Sequence, residues 1–186
     1  MNILLFGGGL QVLAIARGLK DCGYSVFVAG QNNEVSRHSY YVDKCISICL
    51  ENLDVKEFLR IIEDGECQVI IPMEDDYATW LSKNKESIEN NTSAKCAIMD
   101  YPVFSLAADK TKLLDFCKER GLPHPRTALI KNNYDEIAKY VGFPALIKPS
   151  RSAGSRGIRL VNNIEELRNL AEQVEKEYGE CSLQEY

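Results

Sequence analysis

Short β-like runs alternate with helical ones along the first hundred residues, and this alternation leaves few folds open to the chain. The runs 2–6, 25–29, 44–48, 67–71 and 95–99 read as strands. Between them, Leu10, Leu13, Ala14 and residues 17–19 carry a 3.6-residue stripe that stops at Gly23, a glycine suited to the end of a helix. Residues 54–63 keep Val55, Phe58, Leu59 and Ile62 on one face and stop at Gly65, and 74–88 opens with three acids that suit a helix N-terminus. Strand and helix in alternation are the mark of βαβ units around a parallel sheet. Residues 1–104 are therefore expected to form a doubly wound, Rossmann-like α/β domain.

A different pattern follows the Tyr101-Pro102 pair, which reads as a turn. A helix is expected over 109–120, capped by Asp109 and closed by Gly121, with Pro123 and Pro125 preventing its continuation. A short strand near 127–130 and a helix near 134–141 come next. Two strands joined by a loop of Gly, Ser and Arg residues occupy 142–161, a helix follows over 164–178, and the chain ends in the strand-like CSLQEY. Residues 105–186 thus read as a linker helix and an incomplete α+β region. The 186 residues amount to one domain and part of another.

Composition narrows the function classes. With 27 acidic against 22 basic residues the chain has a net charge of −5, which argues against general nucleic-acid binding. No apolar run approaches the roughly 20 residues that span a bilayer, and the apolar start lacks the basic lead and cleavage pattern of a signal peptide. The seven scattered cysteines read as reduced, mostly buried thiols of a cytoplasmic protein. Cys45 and Cys49 are expected on one face of a strand, too widely spaced for the usual zinc pattern. The two histidines suggest no nucleophilic triad.

Two segments carry possible chemistry. Gly7-Gly8-Gly9 stands between a strand and a helix, where backbone N–H groups and the helix dipole could meet a ligand. The dinucleotide template G-x-G-x-x-G fails there, because Val12 holds its third glycine position and no acid follows the second strand to bind a ribose. A tight structural turn, a substrate contact through Gly7, Gly8 and Gly9, or an NAD(P)-binding oxidoreductase domain all remain open. Glu74-Asp75-Asp76, at a strand end, are helix-start acids or, through Glu74, a ligand contact.

The second segment is a charge anomaly. Residues 137–164 contain five cations (Lys139, Lys148, Arg151, Arg156, Arg159) and no acid, where about four acids would be proportionate. The rest of the chain holds 17 basic against 27 acidic residues. Such an island suits a polyphosphate. Lys148 shares a strand face with Leu146 and projects beside the loop 150–157, in which Gly154 and Gly157 permit unusual backbone conformations and the serines add donors. A Walker A loop places its lysine after the glycines, at a helix start; here the lysine precedes the loop and a strand follows it. An exposed basic hairpin is the alternative.

The stretch Gly142-Phe143-Pro144-x-x-Ile147-Lys148-Pro149-Ser150, the glycine loop and Gly157-Ile158-x-Leu160-Val161 together resemble the nucleotide-binding segment of the ATP-grasp superfamily, in its carbamoyl-phosphate synthase large-subunit and biotin carboxylase branch. Asp109-Lys110 with Gly121-Leu122-Pro123-x-Pro125, and the terminal Leu183-Gln184-Glu185-Tyr186, resemble the helix leading into that module and the strand entering its adenine hinge. The resemblance implies a pre-ATP-grasp domain over 1–104 and the first nucleotide-binding subdomain over 105–186, truncated at its C-terminus. It implies ATP and Mg2+ as cofactors, with ATP contacts from Lys110, Lys148, Ser150, Ser152, Gly154, Ser155, Gly157, Glu185 and Tyr186. Metal ligands and catalytic residues are expected beyond Tyr186, none within these residues. The implied activity is that of an ATP-dependent ligase that activates a small carboxylate as an acyl phosphate for attack by ammonia or an amine, with these 186 residues alone inactive. A non-catalytic nucleotide-binding or interaction module is the remaining alternative.

Overall fold

A computed structural model describes residues 1–31, 34–152 and 154–186, the side chains of 34 and 35 excepted. The chain divides into two compact units, Met1–Phe104 and Ser105–Tyr186.

The first unit is built on five parallel strands: β1 (Asn2–Phe6), β2 (Ser25–Gly30), β3 (Lys44–Ser47), β4 (Cys67–Pro72) and β5 (Lys95–Cys96), in the order β3-β2-β1-β4-β5. Sequence neighbours β3 and β4 lie on opposite sides of β1, so the winding reverses there. Alternation along β1 sends Leu4 and Phe6 into a core with Phe58, Ile62 and Leu81, and Ile3 and Leu5 into a second core with Val12, Ala16 and Val28. Helices thus cover both faces, as a buried parallel sheet requires. They are α1 (Gln11–Asp21), the four-residue α2 (Glu34–Arg37), α3 (Val55–Asp64) and α4 (Asp75–Asn91). Phe6 lies 4.6 Å from the Phe58 ring and 4.9 Å from the Tyr77 ring, contacts that contribute about 0.5–1.5 kcal/mol each beyond area burial.

The expected doubly wound α/β fold is present, with local differences. Tyr101-Pro102 is not a turn: it opens α5 (Tyr101–Ala108), because proline's fixed φ and missing N–H are tolerated in a first helical turn. The strand expected over 95–99 stops at Cys96, where the Ile98 amide folds back onto the Cys96 carbonyl at 2.8 Å. Cys49 lies beyond β3 and does not share a strand with Cys45. Only Cys67, Cys96 and Cys181 are buried; Cys22 and Cys49 are exposed.

The second unit begins within α5 and continues through α6 (Lys110–Glu119). Its sheet holds β6 (Thr127–Leu129), β7 (Ala145–Pro149), β8 (Arg159–Val161) and β9 (Cys181–Glu185), all antiparallel, in the order β6-β9-β7-β8. Ala145, Ile147, Val161, Cys181 and Leu183 face a core made with α7 (Tyr134–Val141) and α8 (Ile164–Tyr178). The alternate residues Leu146, Lys148, Ser182 and Gln184 belong to the other face, which is where the chemistry gathers. Among the described residues no helix is long and apolar enough to cross a membrane.

Candidate functional site

Lys148 stands near the end of β7, half-buried. Its ammonium donates to the side-chain carbonyl of Gln184 on β9. The register sets Gln184 opposite Leu146 and Ser182 opposite Lys148, so Lys148 and Gln184 are diagonal neighbours within reach of long side chains. Gln184 is only 8% exposed, and its amide donates to Thr127 Oγ1 at 3.2 Å.

Lys110 starts α6, where a cation faces the positive end of the helix dipole. Its ammonium donates to the Ser152 carbonyl at 2.7 Å, and its amide to the Ser150 carbonyl at 3.3 Å. The two flanking residues complete a staple. Asp109 caps the helix through the Lys112 amide and lies 3.6 Å from Arg151 Nε. Thr111 Oγ1 meets Ser150 Oγ at 2.8 Å. The root of the 150–157 loop is thereby fixed to the first turn of α6.

Lys110 and Lys148 lie close enough to interact. Burial first, and the Lys110 charge second, hold the Lys148 ammonium below the ordinary lysine range. Neither ammonium forms an ion pair with a carboxylate among the described residues. Both are held by neutral oxygens, so their positive charge is left uncompensated and the arrangement favours an anion.

The loop residues divide. Gly154 and Ser155 are exposed and left-handed, at φ +60° each. Gly157, at φ +75°, is buried, and a Cβ there would meet Pro149 Cγ at 2.7 Å and the Tyr178 ring at 2.9 Å. Gly157 thus serves close packing as well as the turn. The Ser150 hydroxyl lies between Thr111 and Glu180, and its amide donates to the Glu180 carbonyl. Its donors are therefore occupied within the fold. Residue 153 of the loop lies outside the described residues.

At the end of β9, the Glu185 carboxylate accepts from Arg126 Nε at 2.7 Å, and the Glu185 amide donates to the Arg126 carbonyl. Hydrogen bonds to the carboxylate from the Arg126 side chain and backbone hold this carboxyl below the usual range. Tyr186 is exposed. Thr127 and Arg126 carry no mark in the sequence, and Gln184 enters there only as part of the Leu183-Gln184-Glu185-Tyr186 motif. The alternation of Ser182 and Gln184 in the last strand is the signal that could have marked a polar sheet face there.

The first unit holds a separate cluster. Gly8 donates its amide to Glu74 Oε1 at 2.9 Å. Glu74 is the N-cap residue of α4, yet its side chain caps the glycine turn instead of its own helix. The amide that would meet a dinucleotide phosphate is therefore occupied by a carboxylate, which weakens the NAD(P) reading. A cavity of about 330 Å³ at these strand ends is lined by Gly9, Gln31, Leu50, Glu51, Glu74, Asp76 and Tyr77.

Comparison with known proteins bears on the second unit first. Residues 109–183 match the family described as carbamoyl-phosphate synthase L chain, ATP binding domain. Over residues 109–183 the chain carries an ATP-grasp segment. The carbamoyl phosphate synthase large chain of Rubrobacter xylanophilus is 26% identical over 152 residues, covering 80% of this chain and 14% of that one. ATP-grasp architecture is also seen in solved structures. The biotin carboxylase domain of Hydrogenobacter thermophilus 2-oxoglutarate carboxylase, crystallised with MgADP and bicarbonate, superposes with a TM-score of 0.74 at 23% identity, over all of this chain and 44% of that one. N5-carboxyaminoimidazole synthetase from Staphylococcus aureus, complexed with ADP, gives 0.72 at 21%, over 100% and 46%. The chain spans about a seventh of the length of the carbamoyl phosphate synthase chains it matches.

The ATP-grasp relationship also implies magnesium. Among the described residues no group of three or more His, Cys, Asp or Glu side chains could hold a metal ion. At the root of the loop the carboxylates are already engaged, Asp109 as a helix cap and Glu180 with Ser150. These residues do not by themselves fit a magnesium site.

Proposed function

We propose that this chain supplies the nucleotide-binding face of an ATP-dependent carboxylate–amine ligase. The observation that carries this reading is the pair Lys110 and Lys148, two neighbouring ammonium groups held by neutral oxygens beside a glycine loop. Lys148 contacts the α- and β-phosphates, and Lys110 reaches the nucleotide from the start of α6. Ser152, Gly154 and Ser155 belong to the loop that covers the triphosphate. Closing such a loop excludes water from the reacting groups. Glu185 and Tyr186 begin the segment that meets adenine, with Arg126 fixing the Glu185 backbone and carboxylate. Residues 1–104 act as the pre-ATP-grasp domain.

The reaction proposed is transfer of the γ-phosphoryl group to a carboxylate oxygen of the substrate, giving an acyl phosphate and ADP. Ammonia or an amine then attacks the acyl carbon, an amide bond forms, and phosphate leaves with the C–O bond electrons. Phosphoryl transfer relies mainly on positioning and charge stabilisation, and that is the contribution assigned to the two lysines. The supporting chemistry runs through these side chains and backbone amides, and no step assigned to them runs through a metal.

Calorimetry with ATP on the full natural chain tests the reading. Lys148→Ala removes a charge-assisted contact and lowers affinity by about 1.5–3 kcal/mol, or roughly 10- to 150-fold. Equal affinity in the variant, or nicotinamide-cofactor binding that depends on Gly7–Gly9, overturns it.

A further inference from the structure

Gln184 is a buried polar side chain with both ends bonded. Its amide orientation is fixed from two sides. Lys148 has only donors, so the Gln184 carbonyl must face it. On the other side, the Thr127 hydroxyl donates its one proton to the Pro125 carbonyl at 3.0 Å, leaving a lone pair for the Gln184 amide. The chain Pro125, Thr127, Gln184, Lys148 therefore runs in one direction across three neighbouring strands, with Thr127 directly opposite Gln184 in the register.

We propose that Gln184, oriented by Thr127, is a positioning residue for Lys148: a neutral acceptor that holds the ammonium in place on the sheet face without cancelling its charge. This rests on reading Lys148 as a phosphate contact. A carboxylate at the same place would hold Lys148 more strongly, but it would also supply the negative charge that the phosphates are meant to bring, and a bound nucleotide would have to compete with it. A hydrocarbon side chain would leave the ammonium without a fixed direction. Glutamine satisfies both requirements, direction and unspent charge. The other charged group acting on Lys148 is Lys110 from α6, which adds repulsion and no competing acid.

Two measurements on the full natural chain test this. MgADP affinity by calorimetry should fall about tenfold in Gln184→Glu and about three- to tenfold in Gln184→Met. The Lys148 titration, followed by NMR of its Cε group, should move in opposite directions: up in Gln184→Glu, where a carboxylate favours the ammonium, and down in Gln184→Met, where an acceptor is lost. Thr127→Val should weaken MgADP binding in the same sense, and Thr127→Ser should restore it. A residue that merely fills space would not move the titration in both directions. An unmoved Lys148 titration in both variants, or parent-like MgADP affinity in Gln184→Met, overturns the assignment. If the parent itself binds no MgADP, the nucleotide reading fails, while the titrations still decide whether Gln184 positions Lys148.

Discussion

Two glycine-bearing turns follow strands in this chain, one after β1 and one after β7, and their surroundings are electrostatically opposite. In the first, Gly7 and Gly9 adopt φ of +134° and +85°, the Gly8 amide is already bonded to Glu74, and Glu51 and Asp76 line the adjoining cavity. In the second, left-handed residues at 154, 155 and 157 lie in a stretch without acids, and the lysines beside it are tied to neutral oxygens. Glycine supplies conformational freedom in both places. Charge separates them: the phosphate site proposed above lies at the second, where the positive charge of the lysines is left uncompensated.

The largest expected difference between the turns is steric. A Cβ on Gly30 would lie 2.6 Å from both the C and O atoms of Gly7, and backbone atoms cannot swing aside as a flexible side chain can. Gly30→Ala should destabilise the protein by about 3 kcal/mol. Gly154→Ala meets nothing within 4 Å and bears only its left-handed φ of +60°, a cost of about 1–2 kcal/mol. Urea unfolding midpoints compare the two, and a larger loss in Gly154→Ala would break the distinction between a packed position against the first turn and an open one in the second.

Glu74→Gln sharpens the comparison with a smaller change. Glutamine keeps an oxygen for the Gly8 amide but removes the charge, so the hydrogen bond weakens from charge-assisted to neutral and stability drops by about 1 kcal/mol. Thermal unfolding measures it. A gain in stability would instead mean that repulsion from Glu51 and Asp76 outweighs the Gly8 bond, and the first turn would then have to be regarded as electrostatically strained.

Signals confined to a few residues were legible in the sequence. The Asp109 cap, the helical stripe of Phe58 and Ile62, and the alternation that puts Lys148 on the face of Leu146 are set by neighbours along the chain. What escaped depends on contacts between distant segments. Gln184 meets Lys148 across 36 residues, and only the β7–β9 register makes them neighbours. Ser150 looked like a phosphate donor because it opens the loop, but Thr111 and Glu180 occupy its hydroxyl. Tyr101-Pro102 misled for another reason: proline is equally compatible with a turn and with the first turn of a helix. The candidate site was therefore readable as a list of cations and glycines, while the neutral groups that hold the cations were not.

The subtlest contrast concerns how the two units handle charge. In the first, burial would push the Asp43 carboxyl up, but hydrogen bonds from Lys20 and the Val26 amide outweigh it and hold the carboxyl below its usual range. That stabilisation is present above the unfolded carboxyl pKa and disappears as pH falls through the lower folded value. In the second, burial and Lys110 lower the Lys148 pKa. The unfolded chain then binds more protons between the folded midpoint and the ordinary lysine value near 10.4, so stability rises with pH across that window and the penalty is complete below it. The stability of the parent relative to Asp43→Asn should therefore shrink as pH falls into the acid range. Relative to Lys148→Met it should grow as pH rises towards about 10.4. Any pH-independent part of the mutational effect offsets each difference without changing the sign of its slope. Urea unfolding across both ranges reads the slopes. A parent whose advantage over Lys148→Met falls with rising pH would show that Lys148 is a stabilising charge of the fold, and the contrast between Asp43, a charge the fold uses, and Lys148, a charge it tolerates, would be lost.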